Sequence, residues 1–300
     1  MKKIIISTLL LVAGIFSIDA QVFNASAPQR LGNVKGSLAL VSADGKFIVT
    51  NTERGLEKVD AATGATQFIA AAPDSYNFAI SPDGKTIAYN RAHIGSDKLR
   101  RVSLETVDVA SGKKATVVKA TRELNSGVSL TGNTLTAVAD GKITTKALGK
   151  AAKVSAPMVS INYGHLDLTR NGKTVHLDPL GEGSYLWPSI SPDGKRILFR
   201  LVGEGVYTCN LDGSDVRLVT KKLSLPVWAG NDAILGVVTT DDSQRILTSR
   251  LMAVSLKDGA QQQLTPDSML PMGPSCNADG TLAAFYDGDG SLYTIKLRKL

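Results

Sequence analysis

Cysteine is nearly absent from these 300 residues: only Cys209 and Cys276 occur. Two thiols define no disulfide framework, and a chain of this length buries enough core to need none. They read as small buried side chains inside strands, with pairing left open. Long helical patterns are scarce as well. Histidine is limited to His93, His165 and His176, and none stands in an H-x-x-x-H or H-E-x-x-H arrangement. No metal site and no cofactor are therefore expected, and the three histidines read as solvated or hydrogen-bonded structural groups. Phosphate loops and dinucleotide fingerprints are missing. So is the G-x-S-x-G nucleophile elbow: Gly181-Glu182-Gly183-Ser184 and Gly288-Asp289-Gly290-Ser291 place Ser directly after Gly, with no Gly two residues later. The run Asp287 to Ser291 lacks the terminal Glu of a calcium loop and reads as a connection between two strands. No catalytic residue is assigned, and the chain is read as a non-enzyme.

One long apolar run exists, and it stands at the start. Met1-Lys2-Lys3 is basic, Ile4 to Ile18 is apolar apart from a few small or hydroxyl residues, and Asp19-Ala20 ends the run on a small residue. That order is the one of a secretory signal peptide, cut after Ala20. The run is shorter than the roughly 20 residues a membrane-spanning helix needs. The domain expectation is thus a signal peptide over 1–20 and a single domain over 21–300. The formal charge is +7, and it stays clearly positive once Lys2, Lys3 and Asp19 are gone. The charges are scattered rather than blocked, which fits solubility better than a polymer track. An exported protein does not meet chromosomal DNA, so no nucleic acid partner is expected.

Short runs of Val, Ile, Leu, Thr and Tyr recur between Gly, Asp, Asn and Ser clusters, the pattern of many short strands and tight turns. Within it lies a repeat. Ile80-Ser81-Pro82-Asp83-Gly84-Lys85-Thr86-Ile87 returns as Ile190-Ser191-Pro192-Asp193-Gly194-Lys195-Arg196-Ile197. Weaker copies begin at Val41 and Cys276, and eroded ones at Leu130 and Trp228. Each reads as a hairpin: Pro presets φ, Asp bonds its own backbone, and Gly takes the left-handed conformation. A second turn follows each copy, at Asp60–Gly64, Asp108–Gly112, Asp212-Gly213 and Asp258-Gly259. Two hairpins in about 40–50 residues make four antiparallel strands, which is one propeller blade. The expected fold is an all-β propeller of four-stranded antiparallel blades. Six motif copies give six blades, with seven as the alternative because the stretch from Thr131 to Ser191 exceeds one repeat. There, Leu168 to Val175 reads as either an inner or an outer hairpin. The last blade lacks one strand, which the segment around Val22 to Gly36 would supply, leaving no open edge.

The S-P-D-G-K hairpins at Ser81 and Ser191 resemble the WD40-like repeat of the TolB-type β-propellers. The resemblance covers roughly residues 35–300 and implies a periplasmic propeller. This chain leaves no room for the additional α/β domain that TolB carries, so it resembles a propeller-only member.

Propeller topology puts the S-P-D-G-K turns on one face. Connections between the second and third strands, and between blades, fall on the other. The latter are longer and carry the candidate binding residues: Arg91, His93, Arg100 and Arg101 in 90–101, Tyr185 and Trp187 in 181–187, and Asp241 and Arg245 in 239–245. Aromatic and arginine side chains are enriched at interface hot spots. The turn residues Asp83, Gly84, Asp193 and Gly194 are read as structural. The resulting expectation is an exported scaffold of the periplasm or cell envelope of a Gram-negative bacterium. It would be monomeric by itself, able to associate peripherally with the outer membrane, and would dock an envelope protein partner. The alternatives are a metal-dependent polysaccharide lyase or hydrolase with its site over the channel, or a glycan or small-ligand binder.

Overall fold

The computed structural model describes residues 21–124, 128–131, 134–148 and 156–300. The expected signal peptide lies outside the described residues. The two leading strands, β1 (Phe23–Ala25) and β2 (Gln29–Lys35), belong to the last sheet. The first sheet holds β3 (Leu40–Val41), β4 (Phe47–Thr52), β5 (Gly55–Asp60) and β6 (Thr66–Ala70). The second holds β7 (Ser75–Ile80), β8 (Thr86–Ile94), β9 (Arg100–Asp108) and β10 (Lys114–Thr121). The third holds β11 (Ser129–Thr131), β12 (Thr134–Ala139) and β13 (Lys142–Ala147). The fourth holds β14 (Met158–Asn162), β15 (His165–Arg170) and β16 (Lys173–His176). The fifth holds β17 (Tyr185–Ile190), β18 (Arg196–Leu201), β19 (Gly205–Asn210) and β20 (Arg217–Thr220). The sixth holds β21 (Ser224–Ala229), β22 (Ala233–Asp241), β23 (Ile246–Ser255) and β24 (Gln261–Gln263). The seventh holds β25 (Met272–Cys276), β26 (Leu282–Tyr286) and β27 (Ser291–Lys299), with β1 and β2 both paired along β27.

The propeller therefore has seven blades, not six. The additional blade is the fourth, and it lacks the repeat motif. Its hairpins close on Tyr163-Gly164 and Asn171-Gly172, all four residues at positive φ. That is the two-residue turn that matches strand twist. The Leu168 to Val175 stretch is the outer of these hairpins, joining β15 to β16. Ring closure is as expected: Phe23 pairs with Lys299 and Gln29 with Thr294.

The repeat motif works as a hydrogen-bonded cage. The Ser81 hydroxyl accepts the Thr86 N–H at 2.9 Å and donates to the Asp83 carboxylate at 2.6 Å. Asp83 in turn accepts the Lys85 N–H at 3.1 Å. Ser191 and Asp193 repeat the arrangement. Gly84 and Gly194 sit at φ +71° and +73°, a region that costs a side chain about 1–2 kcal/mol.

The core is not central; it lies in layers between blades. Val49 and Leu56 of the first blade pack against Ile87, Tyr89 and Val107 of the second. Leu198 and Val206 of the fifth pack against Trp228 and Ile234 of the sixth. Each fully buried Leu or Ile in such a layer stabilises by about 1.5–3 kcal/mol. Cys209 on β19 and Cys276 on β25 lie in different blades, and both are free. Burial pushes their thiols up, to about 11 and about 12.

A local device recurs on the inner strands. In four blades the first strand breaks register after its opening residues, and the first residue of the bulge has positive φ. These residues are Asn77 at +52°, Trp187 at +49°, Leu225 at +51° and Gly273 at +53°. Bulges of this kind take Gly most easily. Trp187 and Leu225 occupy it at a cost in backbone strain.

Candidate interaction face

The hairpin β8–β9 is built from two strands of nine residues each. Its tip is organised by Asp97, which accepts the Leu99 N–H at 3.1 Å and both terminal nitrogens of Arg101 at 2.9 and 2.7 Å. The guanidinium beside it holds the Asp97 carboxyl well below the usual carboxylate range. Arg101 is thus spent on its own hairpin. Arg100, by contrast, lies over the Tyr76 ring at 5.3 Å and donates to the Tyr76 hydroxyl at 2.9 Å. Arg91 and His93 gather around the buried Glu105. Arg91 stands 3.8 Å from it, and the Tyr89 hydroxyl donates to it at 3.2 Å. The His93 Nε2 meets the Ser103 hydroxyl at 2.8 Å, and Ser103 donates to Glu105 at 3.1 Å. Desolvation, with the Glu105 charge next, pushes the Tyr89 phenol up to about 12.

At the start of the fifth blade, Trp187 is 37% exposed and the Arg200 guanidinium lies 5.7 Å from its ring. Arg200 is fixed in turn by donating to the Leu223 carbonyl and the Ser224 hydroxyl, both at 2.7 Å. Tyr185 is a correction to the expected site: it is 0% exposed. Its ring packs beside Phe199, and its hydroxyl donates to the Gly181 carbonyl and accepts the Leu180 N–H. No partner can reach it. Asp241 and Arg245 stand at the β22–β23 turn. Asp241 accepts the Ser243 N–H at 3.0 Å, and Arg245 lies 3.4 Å from Asp242. This hairpin belongs to the sixth blade and β8–β9 to the second, with the seventh and first blades between them. The expected residues share a face but do not form one compact site.

Apart from Trp187, sequence reasoning named none of the large apolar residues that this face exposes. Ile94, Leu99, Tyr163, Trp187, Val202 and Leu247 are exposed large apolar side chains. Ile94, Leu99, Val202 and Leu247 sit in or beside second-to-third-strand connections, Trp187 near an inner-strand start, and Tyr163 at the β14–β15 turn, where the Gly164 carbonyl accepts the Tyr185 N–H. The other described ones, chain-terminal Leu300 apart, are Leu180 on an interblade crossing and Phe68, Val175 and Leu218 on outermost strands. Among the described residues, none lies on an S-P-D-G-K-type turn. Tyr163, at 92% exposure, is the one a closer look at the Tyr-Gly dipeptide could have found.

The structural comparisons agree on the architecture. A scan against protein-family models finds no match, and a search of curated proteins finds none either. Solved structures do match. The β-propeller domain of Cps50 (Swd1) from Myceliophthora thermophila superposes with a TM-score of 0.63 at 10% identity, over 92% of this chain and all of that one. A protein assigned as TolB from Agrobacterium tumefaciens gives a TM-score of 0.52 at 18% identity, over 88% and 90% of the two chains. An oligogalacturonate lyase from Vibrio parahaemolyticus gives 0.49 at 14% identity, over 85% and 76%. The first two share the propeller fold with this chain. The third superposes too loosely to bear on activity.

Proposed function

We propose that the protein is an exported, non-catalytic β-propeller whose loop face docks a protein of the bacterial cell envelope. The observation that carries this reading is Trp187. A ring of this size stands at φ +49°, 37% exposed and with an arginine against it. The equivalent bulge in the seventh blade is filled by Gly273, which bears no such strain. Retaining strain at an exposed aromatic is understood if the ring is used. The five other apolar side chains supply further contact area, and among the described residues the S-P-D-G-K-type turns carry no exposed large one.

The rival reading, a lyase or hydrolase over the channel, needs titratable groups on the innermost strands. His93, His165 and His176 stand on β8, β15 and β16, none of them innermost. The test is an affinity capture from solubilised envelope, comparing the parent with Trp187→Ala, Arg100→Ala and the outer-strand control Leu218→Ala. One protein species should be held by the parent and by Leu218→Ala and weakened by the other two. Capture that is indifferent to Trp187 and Arg100 would sink the docking reading.

A further inference from the structure

The fourth blade carries a pair of histidines whose arrangement the docking role leaves unused. The His165 Nδ1 lies 2.6 Å from a carboxylate oxygen of Asp178, whose other oxygen accepts the Leu166 N–H at 2.9 Å. The His176 Nδ1 is hydrogen-bonded to Asp167 across the β15–β16 ladder. Asp167 is 0% exposed, so it cannot swing away from its histidine. The two imidazole rings lie 5.1 Å apart, tilted by 43°. Both side chains reach solvent, at 43% and 61% exposure.

Each feature has a consequence for the ring nitrogens. A carboxylate at Nδ1 accepts the hydrogen bond of an Nδ1–H, which in the neutral ring leaves the Nε2 lone pair free. Two rings are so treated, by two different aspartates, and they lie side by side. A carboxylate behind each imidazole fixes its plane, as in metal-binding histidines. Imidazole pairs of this sort suit Zn(II), Cu(II) and Ni(II), and not the hard oxygen-seeking cations. We infer that His165 and His176 form a two-histidine clamp for a divalent transition metal, with Asp178 and Asp167 as positioning residues behind them. Among the described residues no group of three or more His, Cys, Asp and Glu side chains is set to hold a metal. The clamp therefore supplies two ligands, and water or a donor from outside the chain completes the ion's shell. His93 has no such partner: its Nε2 is taken up by Ser103.

The inference stands apart from the docking reading, since Trp187 is no part of it. The experiment is zinc titration calorimetry on the chain carrying no histidine tag, with copper(II) paramagnetic resonance alongside. The expected result is one ion per chain, with a copper spectrum showing two equatorial nitrogens. His165→Ala and His176→Ala should each weaken binding at least tenfold, and His93→Ala should leave it unchanged. Both histidines are partly exposed, so folding should survive, and circular dichroism checks that it does. Absence of binding, or binding that persists in both alanine variants, or equal loss in His93→Ala, would overturn the clamp.

Discussion

The two faces of the disc are made of the same strands and treat their surroundings in opposite ways. On the turn face, each connection consumes its own polar groups. Asp60 accepts N–H groups from Ala62 and Thr63, and Asp108 does the same for Ala110 and Ser111. The S-x-D-G cages close the remaining donors. That face is chemically finished. On the loop face the hairpins run long, apolar side chains stand open, and the backbone holds Trp187 where Gly would rest. On the docking proposal, stability is vested in one face and recognition in the other.

Substitutions on the turn face should reveal the first half of that contrast. Gly280→Val should be the worst. A Cβ there would lie 2.7 Å from the Ala229 backbone, and φ is +78°. A loss of about 3 kcal/mol is expected from clash and strain together. Gly84→Val should cost about 2 kcal/mol, because its Cβ would meet the Phe47 ring at 3.2 Å. Gly194→Val meets nothing within 4 Å and should cost about 1–2 kcal/mol from φ alone. Denaturant midpoints measure all three. Equal losses would mean that neighbouring contacts do not matter.

Trp187→Gly probes the second half. It relieves the left-handed strain, so the melting temperature should hold or rise slightly, while partner affinity should fall by about 1–3 kcal/mol. A large fall in stability would show that the ring is packing material. The same residue would then belong with the turn face in kind.

Acid should act on both faces, since Asp97 and Asp242 of the loop face are also held low. Hydroxyl donors hold Asp44, Asp193, Asp108 and Asp212 below the ordinary 3.8, led by Ser42, Ser191, Ser111 and Ser214 respectively. The Ser291 N–H is the leading influence on Asp289, which falls to about 2. A depressed folded value means stabilisation that is present above the unfolded value and lost as pH falls through the folded one. Melting temperature should therefore drop below about pH 4, and Asp193→Asn should make that drop shallower. The smallest effect is Ala43→Pro. Ser42 and Asp44 form the same cage that surrounds Pro82 and Pro192, so the change should be neutral or add up to about 0.5 kcal/mol.

Much of the fold was legible because hairpin chemistry is local. A Ser, an Asp and a Gly at fixed spacing determine a turn without help from the rest of the chain. The fourth blade was not legible for the same reason in reverse. Tyr163-Gly164 and Asn171-Gly172 close hairpins through backbone shape alone, and Tyr is no usual occupant of positive φ. The loop face was readable as a region, from the length of 90–101 and 239–245. Its details were not. That Arg101 serves Asp97 while Arg100 serves Tyr76 depends on which way two neighbouring side chains leave a strand. Tyr185 and Trp187 differ by two residues and by everything in exposure, because the bulge between them and Ser189 shifts the register.

The seam where Phe23 and Gln29 meet Lys299 and Thr294 gives this molecule a clock. Every other sheet is a meander complete within its own stretch of chain, ready as soon as that stretch is made. The ring itself cannot exist until the final strand arrives. For most of its synthesis the protein is an open arc, with the β1–β2 segment waiting at one end for a mate still to come. Loop entropy rises only slowly with the distance spanned, so the closure costs little in equilibrium stability. It costs time, since pairing of such distant segments is slow. A chain cut short before β27 would hold its blades and never its circle.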